Sequence, residues 1–207
     1  DIGKLSLISF PEQIRLSHED YVILLGDVAI TWTGDENDIH TANYHNNKPY
    51  TTLFLDGNHE NHAILDAYPV EMWNGGKIHR IAPNVLHLMR GQTFRLGDVS
   101  FFVMGGASSI DKKYRIENVS WWSREIPSDA EFEEGIAKLE KCGNKVDFIL
   151  THDAPHPIRE RLGCYTRDPL TSFLTFIDSH IQFEKWYFGH HHVDANFDDR
   201  YFACYNT

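Results

Sequence analysis

Residues 182–192 read QFEKWYFGHHH, a strand-like apolar run that ends in a glycine and three histidines. A buried strand that leads directly into imidazoles places side chains that can bind a metal at its carboxyl end. Open α/β sheets carry their chemistry at the carboxyl ends of strands, so polar residues at other strand ends can meet in the same crevice. The segment therefore predicts an α/β fold with a functional site at that edge.

Three earlier apolar runs also end in residues that can bind a metal. The first is followed by Asp27, the second by Asn58 and His59, and the third by His152. For any single histidine in a chain that contains 13, an ordinary structural role is the better interpretation. The ensemble favours a metal site, because Gly-Asp, Gly-Asn-His and Gly-His-His-His each stand at the end of an apolar run. The candidate ligands at this point are Asp27, Asn58, His59, His152, His190 and His192.

The types of ligand narrow the choice of metal. Imidazole, carboxylate and amide oxygen without thiolate suit Mn²⁺, Fe or Zn²⁺ better than a sulfur-rich structural zinc site. A carboxylate such as that of Asp27 can bridge two cations about 3.5–4 Å apart, the spacing used by phosphatases and nucleases. These ligand types favour Mn²⁺, with Fe, Zn²⁺ and Ni²⁺ as alternatives, and a bridging carboxylate allows two divalent metal ions.

The four blocks resemble the signature of the calcineurin-like metallophosphoesterases, in a bacterial or phage-type branch of that family. That signature runs Asp-x-His, Gly-Asp, Gly-Asn-His-Asp/Glu, a lone His, and Gly-His-x-His. The chain matches it in order at Gly26-Asp27, at 57–60, at His152 and at 189–192. The resemblance implies a four-layer α/β sandwich of two mixed β-sheets flanked by helices. The chain's own pattern of early parallel strands and later hairpins suggests the same two packed sheets.

The resemblance also implies a role for each matched residue. Asp27 would bridge both ions, and His59 would be the general acid that donates a proton to the leaving-group oxygen. The other metal ligands would be Asn58, His152 and His190 on one ion and His192 on the other. The implied reaction is hydrolysis of a phosphate monoester or diester by a water or hydroxide that two metals activate.

The first block of the signature, Asp-x-His, does not occur upstream of Gly26. Residues 1–6 read like the segment that follows this block in relatives, and the chain stops at Thr207 without a turn after a strand-like run. We therefore expect residues 1–207 to form a single metallophosphoesterase domain that is incomplete at both ends. The second ion would then keep only Asp27 and His192, which should weaken its binding and its nucleophile.

Three functions compete at this stage. A metal-dependent phosphoesterase with a small phosphoester substrate is favoured, and a nuclease of the same fold or a non-catalytic metal-binding scaffold are the alternatives. Residues 28–32 lack the Asp-Arg pair of the Ser/Thr protein phosphatases of this fold, which disfavours protein substrates. The net charge of −11 argues against non-specific binding of nucleic acid through a basic surface.

Composition indicates one globular domain. The chain has 207 residues, of which 42% are hydrophobic and 13% aromatic. No apolar run approaches the length of a membrane span, so no membrane partner is expected. Three cysteines without C-x-x-C spacing fit a reduced compartment, and a cytoplasmic location is the default expectation.

Overall fold

The computed structural model describes residues 2–206, which form two mixed β-sheets between layers of helices. The first sheet has the order β1-β2-β5-β4-β3 and the second the order β10-β11-β9-β8-β7-β6. The strands of the first sheet are β1 Tyr21–Leu25, β2 Thr51–Leu55, β3 Val70–Trp73, β4 Gly76–Ala82 and β5 Val85–Leu88. The strands of the second are β6 Gln92–Leu96, β7 Val99–Met104, β8 Phe148–Thr151, β9 Lys185–Phe188, β10 Ala195–Phe197 and β11 Tyr201–Ala203.

Each sheet combines parallel strands with antiparallel hairpins. In the first sheet β1, β2 and β5 are parallel, while β3 and β4 complete an antiparallel meander. In the second sheet β7, β8, β9 and β11 are parallel, and β6 and β10 pair antiparallel at opposite edges. Short runs between residues 78 and 104, bounded by Pro83-Asn84, Gly91 and Gly97-Asp98, predict consecutive antiparallel strands. These strands are present, but they divide between the two sheets at Gly91. Gly91 has φ 68°, and a Cβ there would meet the Glu131 carbonyl oxygen at 2.6 Å.

The side chains of adjacent residues on a strand enter different cores, because successive residues of a strand face opposite sides of its sheet. Leu53 and Leu55 pack between the sheets, whereas Phe54 packs on the outer face of the first sheet. Phe101 and Phe102 divide in the same way on β7. The result is the four-layer α/β sandwich that the sequence predicts, with two mixed sheets flanked by helices, consistent with the calcineurin-like phosphoesterase fold.

Five α-helices form the outer layers of the described chain. They are α1 Glu36–Asn46, α2 His62–Leu65, α3 Asp129–Lys141, α4 His156–Arg161 and α5 Pro169–His180. Short 3-10 helices occupy Ile2–Leu5, Pro11–Arg15, Lys112–Tyr114 and Ser123–Glu125. None of the described helices is long and apolar enough to cross a bilayer.

The sequence Ser128-Asp129-Ala130-Glu131 predicts the start of a helix that Gly143 stops, and helix α3 begins there. The Ser128 backbone N–H donates to the Glu131 carboxylate at 2.8 Å in a reciprocal capping box. Gly143 follows the helix in left-handed backbone, with φ 68°. Local capping chemistry is therefore sufficient to fix both ends of this helix.

The segment after His152 differs from the sequence-based interpretation. Pro155 and Pro157 suggest a rigid turn in which His156 and Arg159 lie on the surface at least as readily as near the site. The structure instead forms α4, which accommodates Pro157 in its first turn, and it buries both side chains. The Arg159 guanidinium lies 3.4 Å from the buried Asp153 carboxylate, so it has a charged partner in the interior.

Candidate metal centre

Four strand ends from two sheets converge on one place. Asp27 follows β1 and Asn58 follows β2 in the first sheet, and His152 follows β8 and His190 follows β9 in the second. Because β1 and β2 are parallel, as are β8 and β9, their carboxyl ends lie at the same edge of each sheet. The packing of one sheet on the other then brings the two pairs of residues together.

The side chains of three candidates form a compact cluster. One ligand atom from each of Asp27, His152 and His190 lies within 4.8 Å of the other two. The His152 Nε2 atom is 3.4 Å from Asp27 Oδ2 and 3.2 Å from Asn58 Oδ1. Ligand atoms that share an ion at about 2.0–2.2 Å stand at such separations. Two imidazoles, a carboxylate and an amide oxygen therefore fit one divalent cation.

Two glycines permit this close approach. A Cβ on Gly26 would meet the Nδ1 atom of His152 at 2.1 Å. A Cβ on Gly57 would meet Asp27 Oδ1 at 2.1 Å and His152 Nε2 at 2.8 Å. Glycine at both positions is thus required for the ligands to come together, which gives a steric reason for the Gly-Asp and Gly-Asn pairs.

The backbone turns sharply at several candidate ligands. Asp27, His190 and His192 have φ values of 55°, 61° and 53°, in the left-handed region that residues with a side chain rarely adopt. Such conformations persist where the surroundings hold them, and they cluster at functional sites. The strand ends are therefore shaped to aim side chains inward rather than to continue the chain at least cost.

His152 is oriented by the first sheet although it belongs to the second. Its Nδ1 atom donates to the Leu25 carbonyl oxygen at 2.6 Å, which leaves Nε2 facing Asp27 and Asn58. A backbone carbonyl on one ring nitrogen fixes the tautomer and the plane of a metal-binding imidazole. The neutral tautomer in this geometry presents an Nε2 lone pair to the cluster.

The charges of Asp27 and His152 stabilise each other. Burial by itself would lower the pKa of His152, but the Asp27 carboxylate outweighs it and raises that pKa to about 9. Burial would raise the pKa of Asp27, yet the His152 charge and hydrogen bond, with the His59 N–H, bring it well below its usual range. Burial and the His152 charge lower the pKa of His190 to about 3. A proton and a divalent cation would compete for the Nε2 lone pair of His152.

His59 and His192 lie beside the cluster, not within it. The His59 backbone N–H donates to Asp27 Oδ1 at 2.8 Å, which holds this residue next to the Asp27 carboxylate. The His192 ring stacks on Tyr205, with centroids 5.0 Å apart, and lines the same cleft. The structure does not bring His192 into the cluster of Asp27, His152 and His190, so its assignment to a second ion stays a prediction.

His191 turns away from the cluster. Its Nε2 atom lies 2.9 Å from Asp153 Oδ1, and Asp153 is fully buried. The side chain therefore pairs with Asp153 and does not join the three candidate ligands.

The motif pattern assigns no role to Glu60, the last residue of the Gly-Asn-His-Glu block. Its Oε1 atom accepts hydrogen bonds from the backbone N–H groups of Val28 at 2.8 Å and Ala29 at 3.4 Å. Burial is the main cause that raises the pKa of Glu60 to about 8. This side chain ties the loop after Asp27 to the loop after β2. Its place as the last residue of the Gly-Asn-His-Glu block is the sequence signal that could have identified it.

An open cleft extends from the cluster between the two sheets. Its volume is about 1190 Å³, with Asp27, His152, His190 and His192 at one end. The walls are mainly apolar and include Ile23, Leu25, Phe101, Phe148, Leu150 and Tyr187. All the implied metal ligands except Asn58 therefore line this open cleft.

Comparison with known proteins gives one partial match. No family model and no solved structure matches the chain. A stretch of 124 residues is 28% identical to the lariat debranching enzyme of Schizosaccharomyces pombe, covering 57% of this chain and 25% of that protein. The chain thus spans a quarter of the length of the relative it matches. Together with the fold, this partial similarity suggests the metallophosphoesterase superfamily.

Proposed function

We propose that this protein is a metal-dependent phosphoesterase that hydrolyses a small phosphate monoester or diester. The observation that carries the proposal is the convergence of Asp27, Asn58, His152 and His190 at the carboxyl ends of four strands. A carboxylate, an amide oxygen and two imidazoles are a donor set for a catalytic divalent cation, not for a structural zinc site.

We assign the binding of one cation to Asp27, Asn58, His152 and His190, with Mn²⁺ as the preferred ion and Fe, Zn²⁺ and Ni²⁺ as alternatives. His192 and Asp27 are proposed to contribute to a second ion in the same cleft. Bound divalent cations supply a polarised phosphoryl oxygen and a water acidic enough to be deprotonated near neutral pH.

The chain's own residues supply orientation and protons. The Leu25 carbonyl holds the His152 ring, and Glu60 holds the loop that carries Asp27. We propose that His59 is the general acid, because its backbone bond to Asp27 fixes it beside the cation site, and an imidazole can protonate a leaving-group oxygen near neutral pH.

A second candidate function is cleavage of a phosphodiester in nucleic acid. The observation that favours it is an exposed segment, residues 110–119, that begins next to the site where Ser109 accepts a hydrogen bond from Asn58. Ile110 and Tyr114 are 90% and 80% exposed, and Lys112 and Lys113 lie between them. Apolar and aromatic groups beside lysines can stack a base and pair with its phosphate. The similarity to a lariat debranching enzyme supports the same candidate.

The test measures binding and turnover separately. Protein stripped of metal is reloaded with Mn²⁺, its affinity is measured by calorimetry, and hydrolysis of aryl phosphate monoesters, diesters and single-stranded DNA is followed. Asp27→Ala should lose both binding and turnover. His59→Ala should keep binding and lose about 10²–10⁴-fold in turnover, the usual contribution of general acid catalysis.

The matched control is His40→Ala, which removes an exposed imidazole on α1 and should change neither quantity. Wild-type protein that binds Mn²⁺ but hydrolyses none of the esters would leave the non-catalytic scaffold as the function. Activity on DNA without activity on aryl esters would establish the nuclease.

A further inference from the structure

A buried chain of hydrogen bonds runs outward from Asn58. The Asn58 Nδ2 atom donates to Ser109 Oγ at 2.9 Å, and Ser109 Oγ donates to Glu125 Oε2 at 2.6 Å. The Ser109 backbone N–H donates to the other oxygen of the same carboxylate, Oε1, at 3.0 Å. All three side chains are buried, and Glu125 has no exposed surface. This relay of Asn58, Ser109 and Glu125 lies on the side of Asn58 opposite the candidate cation.

The Glu125 carboxylate determines which groups of this relay donate hydrogen bonds and which accept them. A carboxylate accepts hydrogen bonds, and a serine hydroxyl has a single proton to donate. Because the Ser109 proton is directed to Glu125, only lone pairs of Ser109 Oγ face Asn58. The NH₂ group of Asn58 can donate to these lone pairs, whereas the Oδ1 atom of Asn58 cannot. Oδ1 must therefore point the other way, towards His152 Nε2 at 3.2 Å.

The relay is anchored to the same buried ion pair at both ends. Arg90 donates to Asp56, the residue two before Asn58, through Nε at 2.8 Å. The same guanidinium donates to the carbonyl oxygens of Arg124 at 2.9 Å and Glu125 at 3.4 Å. One side chain therefore fixes the distance between the loop that carries Asn58 and the turn that carries Glu125.

We infer that Ser109 and Glu125 are positioning residues that set the orientation of the Asn58 amide and so present its oxygen, rather than its NH₂ group, to the metal. The inference rests on the proposed function, since it takes Asn58 as a metal ligand. It adds two residues outside the ordered motifs, 51 and 67 positions further along the chain. Neither touches the cation, and both act through Asn58.

The decisive variant is Glu125→Gln, which keeps the size of the side chain and changes its polarity. Its amide nitrogen can donate to Ser109 Oγ, which frees the hydroxyl proton to be donated to Asn58. The Asn58 amide then gains by rotating its oxygen towards Ser109 and turning its NH₂ group to the cation site. Loss of an outer partner of a metal ligand typically costs 10–100-fold in affinity, and we expect Mn²⁺ affinity measured by calorimetry to fall by this factor.

In an Asn58→Asp background, Glu125→Gln should not weaken Mn²⁺ binding, in contrast to its effect in the wild-type protein. In Asn58→Asp the introduced carboxylate can only accept, so the lone pairs of Ser109 repel it while Glu125 holds the hydroxyl proton. Adding Glu125→Gln frees that proton for the introduced carboxylate, and Mn²⁺ affinity should then be unchanged or higher than in Asn58→Asp alone. A purely structural role for Glu125 predicts a loss in both backgrounds.

The control is Glu133→Gln, an identical substitution on the exposed face of α3, which should leave Mn²⁺ affinity and the thermal midpoint unchanged. Equal losses of affinity from Glu125→Gln in both backgrounds would overturn the relay, as would no loss in a wild-type background that binds Mn²⁺. Absence of Mn²⁺ binding by the wild-type protein would instead overturn the proposed function itself.

Discussion

The affinity of the site for Mn²⁺ should depend steeply on pH. In the metal-free protein the Asp27 carboxylate raises the pKa of His152 to about 9, so its Nε2 atom carries a proton at pH 7. A metal binds only the neutral imidazole, and the proton must leave first. The pKa of His190 is about 3 and that of Asp27 is well below its usual range, so these two ligands have no proton to lose.

The size of the pH effect on Mn²⁺ affinity follows from the difference between the working pH and the pKa of His152. At pH 7 the imidazole is about two pH units below its midpoint, and each unit corresponds to about 1.36 kcal/mol. Deprotonation of His152 therefore costs about 3 kcal/mol at pH 7, which weakens apparent affinity roughly 100-fold relative to the plateau above pH 9. Between pH 6 and 8.5 the dissociation constant should fall about tenfold for each unit of pH.

Isothermal titration calorimetry in two buffers of different ionisation enthalpy measures both quantities. We expect about one proton released for each Mn²⁺ bound at pH 7, from the linkage above. Asp27→Asn removes the charge that raises the pKa of His152, so this variant should bind more weakly and lose most of its pH dependence. An affinity of the wild-type protein that is constant from pH 6 to 8.5, with heats that do not depend on the buffer, would refute the reasoning.

Three further outcomes are expected. Arg90→Met leaves the fully buried Asp56 carboxylate without its guanidinium partner. Urea titrations should therefore show the free energy of unfolding lowered by about 3–5 kcal/mol. A loss under about 1 kcal/mol would contradict this prediction. Gly57→Ala places a Cβ 2.1 Å from the carboxylate of Asp27, so calorimetry should show Mn²⁺ binding reduced at least tenfold, about 1.4 kcal/mol, in a protein that still folds. His45 and His62 are buried and their pKa values are lowered, mainly by burial, to about 4 and about 3. Because the unfolded chain binds these protons near pH 6.5 and the folded chain does not, stability should fall as pH drops below 6.5, by up to about 1.4 kcal/mol per pH unit for each histidine. Urea midpoints that stay constant from pH 7.5 to 5 would contradict this.

The sequence predicted the parts of the fold that local chemistry controls. The capping box at Ser128 and the glycine at 143 mark helix α3 within a residue of its observed ends. Apolar runs that end in Gly-Asp and Gly-Asn locate β1 and β2, and parallel pairing then places Asp27 and Asn58 at one edge.

Two other features of the structure were not predicted in the same way. The segment 35–47 is polar and rich in Asn and His, a composition that predicts a loop with one helical stretch. It forms the 11-residue helix α1, whose first turn is capped by the Asp35 side chain. The partners of Asn58 at Ser109 and Glu125 have no spacing relative to it, because their contact arises only after the two sheets have packed.

The same limit explains how the site spans both sheets. His152 lies in the second sheet, yet the carbonyl that orients it comes from β1 in the first. No pattern along the chain reports a hydrogen bond across 127 residues. The types and strand-end positions of the ligands could be predicted, while the residues that orient them could not.

Asp27, His190 and His192 have left-handed backbone, so selection for thermostability and selection for cation binding favour different residues at these positions. A residue with a side chain in this conformation gives up roughly 1 kcal/mol relative to glycine. A library screened only for resistance to heat should therefore enrich glycine or asparagine at His190 and His192, and the proteins it yields should melt later and bind Mn²⁺ less well. Directed evolution of this scaffold consequently needs metal retention as a second criterion in every round.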